Sequence, residues 1–284
     1  MALTALSACQ PVEKSSFQES FSSCTVSDII LLPHHALVED WILALYASVD
    51  RASFDKIIVL SPNHFSTGPE AIARPSEQEH GYSLHEKWST DMFPGVEVEG
   101  WMLKTPGSPE ALEAFAQELS RAIDEDNALL VFSIDFSHYL PGEIALLHDL
   151  RSADIVESRS IEEAASLEID SPATAELLLR VLEEQELSLE VLKNTNPSLD
   201  IGHDSFENTT HLFGCSSPAT PLARQVFTQS FFAHPREWYE GKTGEDRYLY
   251  GTDEAFFDQG GQDHAIVKNA AGEILQEFTF DYFD

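Results

Sequence analysis

Leu31-Leu32-Pro33-His34-His35 and Leu60-Ser61-Pro62-Asn63-His64 decide how this chain is read. Each closes an apolar run, Ile29–Leu32 and Ile57–Leu60, with a proline and then a histidine. Short apolar runs ended by breakers predict buried strands, and the ~25 residues between them suit a helical crossover. Two parallel strands joined this way deliver their last residues to one edge of the sheet, where α/β folds place ligands. A single strand-end histidine is commonly a loop hydrogen-bonder; two in the same geometry predict a metal site.

The pattern continues along the chain. A helix is expected over Val38–Tyr46 and another in the second half of Glu79–Trp88, with strands at Val96–Leu103 and Ala128–Ser133. Ser108-Pro109-Glu110 opens a helix with a cap, a first-turn proline and an acid, running to about Ile123. Residues 144–167 read as helical, and Ser171-Pro172 repeats the cap-and-proline start for a helix to about Gln185. A strand at Leu187–Leu192, an apolar stretch at Thr210–Phe213 and a helix over Ala219–Thr228 follow. The expected fold is therefore α/β, a mostly parallel sheet between helical layers over 27–230. Residues 231–284 form a small β-rich appendage, with His264–Val267 and Ile274–Phe280 as a hairpin.

Composition narrows the function classes. The chain of 284 residues has 43% hydrophobic residues, enough for a large core. Its 49 acidic and 16 basic residues give a net charge of −33, which argues against nucleic acid and anionic lipid as partners. Three cysteines, Cys9, Cys24 and Cys215, are too few for a disulfide scaffold or an all-thiolate zinc site. Leu6-Ser7-Ala8-Cys9 resembles a bacterial lipobox, with the Ser-rich residues to Ser27 as a tether. Residues 1–26 are thus a leader and linker, with Cys9 as a lipidation site. Membrane contact is expected only through such an anchor, and a cytoplasmic protein is the alternative. Export would place Cys24 and Cys215 where they can pair.

Polar groups gather at the strand ends: His34-His35, His64, Asp135 with His138, and Cys215, with Glu79-His80 and Asp170 within reach of the same edge. Two imidazoles and one anion suit a divalent first-row metal. A carboxylate as the third ligand gives the non-haem Fe(II) arrangement, and a thiolate widens the choice to copper or zinc. A further histidine off the metal serves as acid or base.

The order Pro33-His34-His35-Ala36, Ser61-Pro62-Asn63-His64-Phe65, Glu79-His80-Gly81-Tyr82, Ser133-Ile134-Asp135-Phe136-Ser137-His138-Tyr139 and Asp170-Ser171-Pro172 resembles the MEMO family. In prokaryotes that family is named AmmeMemoRadiSam system protein B. The likeness spans about residues 27–230. It implies a fold similar to class III extradiol dioxygenases and a metal at the strand ends, iron foremost, with copper or zinc as alternatives. His34 and His64 carry over as ligands. The family's Cys ligand maps to Cys215, here preceded rather than followed by glycine, with Asp170, His211 and His35 as alternates. His138 is similar to the dioxygenase acid/base histidine, oriented by Asp135, while Glu79 and His80 stand behind the ligands. His85 and His148 are expected on helix surfaces or in packing. Two functional readings follow: a metal-dependent oxidoreductase acting on a small molecule, or a metal-binding or scaffold protein without turnover.

Overall fold

The computed structural model describes residues 21, 24, 27–76, 78–140, 142–201, 208–218, 226–227, 262–268 and 274–281. Four strands, β1 (Ile29–Leu32), β2 (Lys56–Pro62), β4 (Glu97–Leu103) and β5 (Ala128–Ser133), run parallel in the order β4-β2-β5-β1. The short β3 (Ile72–Ala73) lies antiparallel on the β4 edge. At the other edge β7 (His211–Ser217) runs antiparallel to β1, and β6 (Ser188–Thr195) antiparallel to β7. The result is a seven-stranded mixed sheet with a parallel centre.

Period-two alternation explains why the central strands read as unbroken apolar runs. Ile29 and Leu31 of β1, Ile58 and Leu60 of β2, and Leu130 and Phe132 of β5 enter one core. Ile30, Leu32, Ile57, Val59, Leu129 and Val131 enter the other. With both faces covered, no position on these strands is free to be polar until the strand ends. The first core is closed by α3 (Pro109–Asp126) and α5 (Pro172–Glu184) through Leu112, Phe115, Leu119, Leu177 and Leu178. The second is closed by α1 (Glu39–Ser48) and α2 (His80–Met92) through Ile42, Leu45, Tyr46 and Trp88. Helix starts follow the expected chemistry: Ser108 Oγ accepts from Ala111 N and Ser171 Oγ from Thr174 N, each before a proline.

Several expectations change. The helix expected over 144–167 is two elements, α4 (Gly142–Glu157) and a 3₁₀ segment at Ile161–Ser166. Arg159 separates them with φ 54°, in the left-handed region where an α-helix cannot continue. Helix α2 starts at His80 rather than midway through its segment, because Glu79 caps it by accepting from Gly81 N. Of the helix expected over 219–228, Val226 and Phe227 are described, and they form strand β8 instead. Strand β8 pairs with β9 (Gln262–Lys268), which pairs antiparallel with β10 (Ile274–Asp281) as the expected hairpin. The lipobox at Cys9 lies outside the described residues. Among the described residues no helix is long and apolar enough to cross a membrane.

Cys215 is not at the strand-end site. On β7 it stands opposite Ile30, and its sulfur is bonded to Cys24, with the Cα atoms 5.6 Å apart. Both cysteines are buried in the second core. A disulfide sulfur offers no thiolate, so Cys215 is removed as a metal ligand. The preceding Gly214 has a packing reason: a Cβ there would meet Glu190 O at 2.6 Å.

Candidate metal centre

The parallel strands β1, β2 and β5 end side by side, and each releases a functional residue two positions beyond its last: His34, His64 and Asp135. β5 lies between the other two, so the histidines flank Asp135. Asp170 arrives from the turn before α5, tied to the same edge by Asp170 N donating to Asp135 O at 3.2 Å. His80, at the first turn of α2, completes the group.

His34, His64 and His80 each present a ring nitrogen within 4.8 Å of the others. His64 and His80 stack with centroids 4.3 Å apart, and His34 stands edge-on to both. Asp170 Oδ2 lies 3.2 Å from His34 Nε2 and 3.6 Å from His64 Nε2. Two ligands bound to one ion at ~2.1 Å stand about 3.0–3.4 Å apart, so this spacing fits a shared cation. Asp170 Oδ1 is buried without a hydrogen-bond partner, a lone pair that protein groups leave unused.

Hydrogen bonds behind the rings decide which nitrogen faces the centre. Ser133 Oγ donates its only proton to Gly81 O at 2.9 Å, so it accepts from His34 Nδ1–H at 2.9 Å. Nε2 of His34 is then left to face Asp170. Glu79 Oε1 accepts from His64 Nδ1 at 2.7 Å, and Oε2 accepts from His64 N at 3.0 Å, turning Nε2 of His64 the same way. A carboxylate or hydroxyl behind each imidazole is the arrangement that fixes metal-ligating histidines. Asp135 Oδ1 accepts the His34 backbone N–H at 3.0 Å, and its Oδ2 is 3.5 Å from His34 Nε2.

The field at the centre is negative. Burial opposes protonation of His34, yet Asp135 and Asp170 outweigh it and raise its pKa above 6.5. Burial also opposes protonation of His64, but Asp170 and Glu79 lift it to about 9. Asp170, although burial favours its neutral form, is held well below the usual carboxylate range by His34 and His64. For His80, burial and its histidine neighbours depress the pKa, favouring the neutral ring that metals need. A field that stabilises imidazolium stabilises a divalent cation in its place.

The remaining expected residues take these places. His138 and Asp135 line a cavity of about 490 Å³ together with the histidine group and Asp170. His35 lines it too, with Nδ1 accepting from Leu37 N at 3.3 Å, and stands 5.3 Å from the ring of His211. His211 is buried on β7 with Nδ1 bonded to Thr195 Oγ1 at 2.8 Å, behind the cavity wall. His85 and His148 are core residues, not surface ones. His85 Nε2 donates to Pro33 O at 3.1 Å and its Nδ1 accepts from Tyr46 Oη at 2.8 Å, bracing the chain beside His34. Sequence reasoning missed Ser133, whose place as the last residue of β5 facing His34 was the available signal. It also set His80 behind the ligands, whereas its ring stands among them.

Comparison with protein-family models and with curated proteins finds no match to this chain.

Proposed function

We propose that this chain is a MEMO-like metal-binding protein of the non-haem oxidoreductase type, holding one divalent metal, iron foremost, through His34, His64 and Asp170. The observation that carries it is Asp170 Oδ2 facing the Nε2 atoms of both histidines, each imidazole oriented from behind. With Cys215 in a disulfide, a two-His-one-carboxylate set suits Fe(II) better than copper. His80, which groups with His34 and His64, is the alternative third ligand. Once bound, the metal would supply Lewis acidity and redox chemistry at the cavity. Glu79 and Ser133 hold the imidazoles in place, and Asp135 holds the His34 backbone. His138, on the cavity wall, is the group to give or take a proton from a bound small molecule.

The catalytic reading is preferred to simple metal storage because the cavity leaves about 490 Å³ beside the centre for an organic ligand. Export is part of the proposal: a Cys24–Cys215 disulfide suits an oxidising compartment, as does a lipidated Cys9. The test is metal content of the full chain purified anaerobically and reconstituted with Fe(II). Near-stoichiometric metal, lost in His64→Ala and Asp170→Ala but kept in Cys215→Ser, is the expected result. A wild-type protein that stays metal-free after reconstitution would overturn the proposal.

A further inference from the structure

Four large apolar side chains are exposed among the described residues: Leu37 at 64%, Phe65 at 53%, Tyr139 at 48% and Leu199 at 42%. Scattered exposed apolar residues are ordinary on a protein surface. These four are not scattered. Leu37 stands two residues after the cavity residue His35, Phe65 directly follows the cavity residue His64 with its ring 6.3 Å from that of His80, and Tyr139 lines the cavity itself. Leu199, in the short helix Pro197–Ile201, belongs to the neighbouring segment. There Ser198 N donates to Asn208 Oδ1, and Asn208 O accepts from Tyr139 N. All four therefore stand at the C-terminal edge of the parallel strands.

The cavity interior has the opposite character. Its walls are mainly imidazole, carboxylate, amide and hydroxyl groups, with Pro62 and Leu103 beside them, and among the described residues none that lines it is Lys or Arg. Lys104 lies between the lining residues Leu103 and Thr105, but its Nζ donates to Gly68 O instead. Away from the metal, a ligand carboxylate or phosphate would find no guanidinium or ammonium among the described lining residues to hold it, in a protein of net charge −33. Backbone conformation at the mouth supports a built feature: Tyr139 and its cavity neighbour Ser66 hold φ 57° and φ 48°, uncommon for residues with side chains.

We infer that the site takes an uncharged amphipathic small molecule, its oxygen-donor head at the metal centre and its apolar body on the collar of Leu37, Phe65 and Tyr139. This inference rests on the metal-site reading above. An apolar collar around a polar pocket divides recognition in two, and each methylene laid on it strengthens binding by two- to fourfold.

Straight-chain hydroxamic acids, uncharged in solution and chelating at one end, are the probe. Their affinity for the Fe(II)-loaded full chain is measured by calorimetry from the two-carbon to the eight-carbon member. Expected are binding of acetohydroxamic acid and a rise of two- to fourfold per added methylene. The eight-carbon hydroxamate bearing a terminal carboxylate should bind at least tenfold more weakly than its uncharged counterpart. Leu37→Ser with Phe65→Ser, both at exposed positions, should flatten the chain-length slope while metal content is retained. Acetohydroxamic acid that binds with no slope overturns the amphipathic substrate and leaves the metal site standing. An unchanged slope in the double variant assigns the collar to something else and also overturns it. No binding of acetohydroxamic acid to protein that carries Fe(II) overturns the proposed ligand and leaves the metal site standing, whereas a chain that fails to load Fe(II) overturns the metal-site reading itself.

Discussion

Both oxygens of Glu79 are committed to His64: Oε1 accepts from the ring Nδ1 at 2.7 Å and Oε2 from the backbone N–H at 3.0 Å. Oε1 also caps helix α2 by accepting from Gly81 N at 3.1 Å, so one buried carboxylate ties a ligand to a helix start. Glu79→Gln keeps the volume but turns an acceptor into a donor. It should weaken metal affinity by about 10- to 100-fold, the usual cost of losing a partner behind a ligating histidine. Competition with a chelator of known affinity measures this; an unchanged affinity would remove Glu79 from the site's support.

Ser133 makes the same argument for His34. Ser133→Ala removes the acceptor that His34 Nδ1 uses and frees Gly81 O. With the tautomer no longer fixed, metal affinity should fall by about tenfold or more. Ser133→Thr, which retains the hydroxyl, should restore much of it. Equal loss in both variants would point to packing at this buried position rather than orientation.

The disulfide should matter to stability and not to metal. Cys24 and Cys215 close a loop across 191 residues, and chain-entropy arithmetic gives about 5 kcal/mol for such a cross-link. Reduction, or Cys24→Ser with Cys215→Ser, should lower the denaturant midpoint markedly while metal stoichiometry stays constant. Metal lost together with the cysteines, in protein still folded by circular dichroism, would return Cys215 to the ligand set.

Acid should destabilise the fold well above the usual carboxylate range. Burial depresses the pKa of His85 and His148 to about 3, and of His211 to about 4. The unfolded chain protonates these groups near 6.5, so below that pH it binds more protons than the folded chain. Stability is therefore lost as pH falls through 6.5, by up to about 1.4 kcal/mol per pH unit for each group. Asp149 works the other way, since burial lifts it to about 6 despite donors on Ser137, Thr210 and Asn194. His34 and His64, whose pKa values folding raises, oppose the loss near pH 7, but by about pH 6 the unfolded chain protonates them too, and below that the three buried histidines outweigh the one carboxylate. Calorimetry from pH 6 to pH 5 should show a falling Tm, and a flat or rising one contradicts the assignment.

The fold was legible because the physics that builds it is local. Strands covered on both faces cannot hide their apolar runs, and the cap-and-proline starts at Ser108 and Ser171 mark their helices directly. His34, His64 and Asp135 could be singled out because the residues just past such strands are the first free to be polar. Cys215 was open to two readings, a ligand beside a Gly or a partner for Cys24, and the structure shows the second, across 191 residues. Only strand order brings those two sulfurs together. The sequence offered Asp170 only as an alternate, since an acid before a helix already has a reason to be there in the helix dipole. The geometry adds what that reason lacks: a carboxylate oxygen 3.2 Å and 3.6 Å from two imidazole nitrogens.

X-ray absorption at the metal edge of the Fe(II)-loaded full chain tests the central claim most directly. The account predicts a shell of nitrogen and oxygen alone near 2.1 Å, with imidazole multiple scattering that is reduced in His64→Ala. A sulfur shell near 2.3 Å, or a spectrum unchanged by His64→Ala and Asp170→Ala, would contradict it.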